Sequence, residues 1–222
     1  MNSPGPSSGE WNLLEKLLPN VPRGTREAIL RYIDLVFAWN TKVNLTGAKS
    51  RQVFIEEHLL DSLAAWQVLS EKTAFIDVGT GAGLPGVVWA LLDPSILMVL
   101  LDASLKRTAF LQRLRSELEL KNTQVLARRF EDLSDEDLPA SVPTWDLVSR
   151  GTATPRDLLQ LAHRSQIPWR RWYVFSNEKI HAEYLTQAPP LGVEVLKISY
   201  RRFLRQDEAG RPGILTLLQR TN

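Results

Sequence analysis

The spacing of hydrophobic and polar positions changes near residue 70, and the change predicts two kinds of structure in succession. From Thr25 the apolar period is helical: Ile29, Tyr32, Ile33, Val36, Phe37 and Asn40 fall on one face, with Thr25 placed to cap the N-terminus. A second helical run follows the turn at Gly47 and extends from Val53 to Leu69. Residues 1–10 are rich in Pro, Gly and Ser with almost nothing to bury, so disorder is expected there. Residues 11–70 read as a helical cap in front of a domain occupying 71–222.

Beyond residue 70, short apolar runs alternate with amphipathic ones. Strands are predicted at Phe75–Val78, Ile96–Leu101, Gln124–Ala127, Trp145–Val148 and Trp172–Phe175, with helices at Leu84–Leu92, Ser104–Leu120 and Asp157–Arg164. Val193–Tyr200 and Gly213–Gln219, joined by a charged loop, predict a terminal antiparallel pair. Such alternation points to an α/β fold: a doubly wound, mostly parallel sheet with helices on both faces. Ligands in these sheets bind outside the carboxyl ends of the strands, where strand order reverses.

The stretch Phe75-Ile76-Asp77-Val78-Gly79-Thr80-Gly81-Ala82-Gly83-Leu84-Pro85-Gly86 is where that site should form. Gly79, Gly81 and Gly83 permit positive φ and close approach of a ligand to the backbone, and the following helix would offer free N–H groups. Residues 81–86 satisfy G-x-G-x-x-G, the dinucleotide pattern, with Asp102 about twenty residues on. Asp77 favours another ligand. A carboxylate beside a pyrophosphate costs about 1–4 kcal/mol at ~4 Å, whereas S-adenosylmethionine carries an ammonium and a sulfonium and no phosphate. An NAD-dependent oxidoreductase is therefore the alternative reading.

Composition narrows the chemistry further. A chain of 222 residues with 44% hydrophobic content can bury one sizeable α/β core. Without cysteine there is no thiolate nucleophile, disulfide or Cys-ligated zinc, and three histidines argue against a metal site. No apolar run reaches membrane-spanning length and no signal-peptide layout is present, so a cytoplasmic protein is expected. A net charge of +2 confines any nucleic-acid contact to local patches.

Candidate ligand contacts fall at predicted strand ends. Asp102 can accept hydrogen bonds from ribose hydroxyls, Phe130-Glu131 can hold an adenine, and Arg150 can grip a carboxylate or phosphate. His58, Asp61 and Ser62 are not read as a catalytic triad, because Ser62 lies inside a helix; His58 and Asp61 are expected to form a polar pair orienting the helical cap. Arg128, Arg170, Arg171, Arg201, Arg202 and Arg205 lie in clusters mixing cations with aromatics and are candidate RNA contacts.

Trp39-Asn40, Asn44-Leu45-Thr46, His58-Leu59-Leu60-Asp61-Ser62, the glycine-rich stretch 75–86 and Leu101-Asp102-Ala103-Ser104-Leu105-Lys106-Arg107 together resemble the bacterial 16S rRNA guanine-N7 methyltransferase family, known as RsmG or GidB. The resemblance implies a class I, Rossmann-like methyltransferase fold, S-adenosylmethionine as donor, and N7 of a 16S rRNA guanosine as acceptor. It places Gly79, Leu84, Phe130, Glu131 and Arg150 on cofactor-binding positions and Asp102 on the acid ending the second strand. Glu56-Glu57 stands where the family usually has Lys or Arg. Guanine N7 has an in-plane lone pair and no proton, so no catalytic base is expected; the task is positioning. The expected partner is 16S rRNA or a small-subunit assembly intermediate, met by a monomer. A noncatalytic RNA-binding module with a degenerate cofactor pocket is the remaining alternative.

Overall fold

The structure is a computed structural model that describes residues 8–202 and 210–221. Helix α1 (Ser8–Leu17) and helix α2 (Arg23–Asn40) are followed by one long rod made of α3 (Arg51–Phe54), a π-helical turn (Ile55–Leu59) and α4 (Leu60–Val68). The α/β part then runs β1 (Ala74–Val78), α5 (Gly86–Leu92), β2 (Leu97–Leu101), α6 (Leu105–Glu117), β3 (Thr123–Leu126), β4 (Trp145–Arg150), α7 (Pro155–Arg164), β5 (Trp169–Ser176), α8 (Glu178–Thr186), β6 (Val193–Arg202) and β7 (Arg211–Arg220).

The seven strands form one sheet in the order β3-β2-β1-β4-β5-β7-β6. The first five are parallel, and β7 runs antiparallel between β5 and β6; its pairing with β6 is the expected terminal pair. Strand order reverses between β1 and β4, which sets the ligand crevice at their carboxyl ends. Both faces of β1 are buried. Phe75 packs with the N-terminal helices and α5, while Ala74, Ile76 and Val78 pack against the side carrying α7. The N-terminal helices share a continuous core with the sheet: Tyr32, Ile33 and Phe54 belong to the same buried cluster as Val87, Trp89 and Leu100. Trp89 also donates from Nε1 to the Ser62 carbonyl at 2.8 Å. No helix among the described residues is long and apolar enough to cross a membrane.

Several local expectations need correction. Helix α1 begins at Ser8, so residues 8–10 are helical, while residues 1–7 lie outside the described residues. Helix α2 starts at Arg23, not at a Thr25 cap, because Pro22 has φ −53 and ψ 146 and its carbonyl already accepts from the Thr25 and Arg26 amides. Helix α8 was not foreseen; Asn177 caps it by accepting from the Ile180 amide.

The largest correction concerns Arg170 and Arg171. Strand β5 starts at Trp169, so both arginines sit at its amino end, away from the crevice. Register slips beside them: Trp145 faces Trp169 but Asp146 faces Arg171. Such a bulge breaks the alternation that would send consecutive side chains to opposite faces. Both guanidiniums therefore reach the buried Asp146, Arg170 Nε at 3.0 Å and Arg171 Nη2 at 2.6 Å, with Glu71 bridging them on the outside. Both arginines are thus held by carboxylates of the chain itself, Asp146 and Glu71. Asp146→Ala should lower unfolding free energy in urea by on the order of 3 kcal/mol, since it removes the buried anion that the two arginines share. A loss below about 1 kcal/mol would contradict this account.

Candidate functional site

Strand β1 ends at Val78, and the chain turns through Gly79, Gly81 and Gly83 at φ 70, 58 and 99 before α5 begins. Gly79 is required twice over. Its φ disfavours any L side chain, and a Cβ there would collide with Thr152, whose Oγ1 donates to the Val78 carbonyl at 3.0 Å. The loop after β4 thus clamps the turn after β1.

Beneath that turn lies Asp77, with no exposed surface. Its Oδ2 accepts from Thr80 Oγ1 at 2.7 Å and from the amide of Gly86, the first residue of α5, at 2.8 Å. Its Oδ1 is buried without a partner among the described residues. Burial pushes the carboxyl up to about 7, against the pull of the Thr80 and Gly86 hydrogen bonds.

Asp102 closes the neighbouring turn. Oδ2 accepts from the Gly81 amide at 3.0 Å and Oδ1 from the Ser104 amide at 2.9 Å, with Arg107 Nη1 at 3.5 Å. Around it opens a crevice of about 380 Å³ lined by Val78, Gly79, Leu101, Asp102, Phe130, Glu131 and Thr152, with Arg128, Arg129, Asp157, Gln160 and Arg164 along its walls. Phe130 is nearly buried and packs on Trp172 with ring centroids 5.1 Å apart; Glu131 is exposed.

Of the predicted ligand contacts, Gly79, Asp102, Phe130 and Glu131 line one crevice, and Gly81 joins them through Asp102. Asp77, Gly83 and Leu84 lie behind it: Leu84 is buried, and Gly83 backs onto Val87 and Leu111. Arg150 does not line it either. Its Nη2 donates to the Glu57 carbonyl at 2.9 Å and to His58 Nδ1 at 2.8 Å, and lies 3.5 Å from Asp61 Oδ2. A guanidinium can only donate, so His58 Nδ1 accepts. Burial first, then the Arg150 charge, holds the imidazole below its usual range. His58 and Asp61 are thus joined through Arg150.

Asp61 Oδ1 also accepts from Tyr200 Oη at 2.6 Å and lies 3.5 Å from Arg202 Nε, while Glu57 pairs with Arg202 and Arg211. Arg202 is therefore tied to the helical rod. Arg128 pairs with Asp137 at 3.0 Å and stands beside the crevice. Arg201 is exposed at the same end of the sheet, and Arg205 lies outside the described residues. Sequence reasoning missed Thr152, although its place just past a predicted strand end was a signal, and Tyr32, whose Oη donates to the Ala82 carbonyl at 3.1 Å from what reads as a purely apolar face.

The Asp77 carboxyl has a testable pH signature. Its folded value of about 7 lies above the ordinary 3.8, so the folded protein holds a proton that the unfolded chain releases. Stability due to this group falls as pH rises through that window and levels off above it. Asp77→Asn should therefore gain stability relative to the parent as pH rises from about 4 to about 7 and hold that gain above it, by up to roughly 4 kcal/mol at ~1.36 kcal/mol per unit. A pH-independent difference in denaturation midpoints would refute the raised value.

The family model for rRNA small subunit methyltransferase G (GidB) matches residues 25–197. The chain is 34% identical over 185 residues to a ribosomal RNA small subunit methyltransferase G of Serratia proteamaculans, covering 83% of this chain and 86% of that relative. A namesake from Yersinia enterocolitica is 32% identical over 176 residues, covering 78% and 82%. One from Neisseria gonorrhoeae is 38% identical over 117 residues, a match spanning 53% of this chain and 56% of the relative. The chain accordingly belongs to the rRNA small subunit methyltransferase G family.

Proposed function

We propose that the protein transfers the methyl group of S-adenosylmethionine to N7 of a guanosine in 16S, small-subunit rRNA. The observation that carries the choice of donor is the hydrogen bond from the Gly86 amide to Asp77 Oδ2. A dinucleotide pyrophosphate needs the first N–H groups of the helix after the glycine turn. Here a carboxyl group of the chain itself occupies the first of them, so that amide is not free for a phosphate, and a bound cation favours the ionised form of the carboxyl. This weighs against the oxidoreductase reading that the glycine spacing leaves open.

The residues present fit the donor: three glycines form the cradle, and the orphaned Oδ1 of Asp77 adds negative character beneath it. When bound, S-adenosylmethionine supplies a methyl group activated by a sulfonium. Asp102 retains lone pairs for ribose hydroxyls beyond its two amide bonds, Phe130 offers an apolar face to adenine, and Glu131 stands at the rim. Arg150, at the end of β4, has Nη2 committed to the helical rod and would meet the donor carboxylate only through its remaining N–H donors. Because guanine N7 carries no proton, no residue has to act as a base; His58, neutral and bonded to Arg150, is a positioning group. The protein's contribution is alignment and exclusion of water. A cytoplasmic monomer acting on rRNA or on a small-subunit assembly intermediate belongs to the same proposal.

Two measurements test it. S-adenosylmethionine should raise the melting temperature where NADH does not, and labelled donor with 16S rRNA should yield labelled N7-methylguanosine by nucleoside mass analysis. Gly79→Ala should weaken donor binding on the order of tenfold or more, since it imposes strain on the cradle. Stabilisation by NADH alone, or label on any other nucleoside, would overturn the proposal.

A further inference from the structure

Among the described residues, three arginines have no carboxylate, carbonyl or ring partner: Arg129, Arg156 and Arg164. All three lie on one side of the molecule. Arg156, His163 and Arg164, with Leu159, Gln160 and Pro190, wall an open groove of about 750 Å³ beside α7, and no carboxylate lines it. Gln160 and Arg164 also wall the donor crevice, where Arg129 stands, so groove and crevice adjoin.

We propose that this groove is a docking track for the phosphodiester backbone of the RNA substrate; the proposal rests on the reading of the protein as an rRNA methyltransferase. Helix geometry arranges the track. Leu158, Leu159 and Ala162 are buried, which leaves 156, 160, 163 and 164 on the solvent side, with the two arginines ~12 Å apart along the axis. Arg156 carries the argument beyond a solvated helix face. It occupies the first turn of α7, where the positive end of the helix dipole opposes a cation and favours an acid. Thr154 and Asp157 already cap that end. Local stability therefore does not ask for arginine at 156, whereas a polyanion passing along the groove does. The planar guanidinium suits a phosphate, and freedom from intramolecular partners leaves its donors available.

The test uses the full chain and a protein-free 16S rRNA transcript, with binding measured across a salt series. Arg156→Gln, whose side chain lies outside the crevice, should weaken RNA binding several-fold and make the slope of log affinity against log salt shallower by about 0.7–0.9, the release expected for one phosphate contact. Its melting temperature and S-adenosylmethionine affinity should match the parent. Adding Arg164→Gln should deepen both RNA effects. Parental RNA affinity and slope in both variants, in a protein that still methylates the transcript, would overturn the track and leave the function standing. A defect seen only with small subunits carrying their proteins would overturn it by assigning the groove to a protein partner. A parent chain that binds donor but neither binds nor methylates rRNA would bring down the underlying reading as well.

Discussion

A carboxylate with no solvent contact, Asp77, is the constraint on which the site depends. One oxygen holds the Thr80 hydroxyl and the Gly86 amide, so strand, turn and helix are stitched together from inside. Removing a carboxylate from water is costly, and the raised proton affinity of the group records that cost. The neighbouring elements are fastened to the same turn. Asp102 takes the Gly81 amide from the β2 side, Thr152 takes the Val78 carbonyl from the β4 side, and Tyr32 reaches the Ala82 carbonyl from α2. Three segments distant in sequence therefore help to define one loop conformation, which is how a glycine-rich turn avoids being a flexible one.

The two ends of the sheet use the same residue types for different purposes. At the amino ends, Asp146 is fully enclosed by Arg170 and Arg171, a closed arrangement that pins β4 to β5. At the carboxyl ends, Glu57, His58 and Asp61 of the helical rod meet Arg150 of β4, Tyr200 and Arg202 of β6 and Arg211 of β7. That second cluster is more open: the Arg211 side chain is 56% exposed and that of Glu57 41%. Exposed ion pairs contribute little to stability and exchange partners readily in water. The cluster therefore joins the N-terminal helices to the terminal hairpin.

Legibility in the sequence followed the range of the interactions. The strand-turn-helix at 75–86, the acid ending β2 and the antiparallel terminal pair are local patterns, and each is found where its period places it. What local pattern does not report depends on pairing across the sheet. Arg170 and Arg171 resemble a basic-aromatic surface patch in composition, and only the bulge opposite Asp146 turns both inward. Arg150 sits at a strand end, as spacing suggests, yet its partners lie some 92 residues earlier, and no periodicity reports that His58 would meet it. Tyr32 illustrates the converse: a residue counted as core by its helical spacing is buried and still delivers a hydrogen bond to the site.

We propose that the turn above Asp77 and the acid Asp102 together hold the adenosine portion of a phosphate-free methyl donor. A crystal structure with S-adenosylhomocysteine tests it most directly. The account predicts the ribose at hydrogen-bond distance from Asp102, the adenine against Phe130, and the backbone of Gly79 facing the ligand. A ligand seated anywhere else, or an Asp77 side chain released from the Gly86 amide to make room for it, would contradict the account.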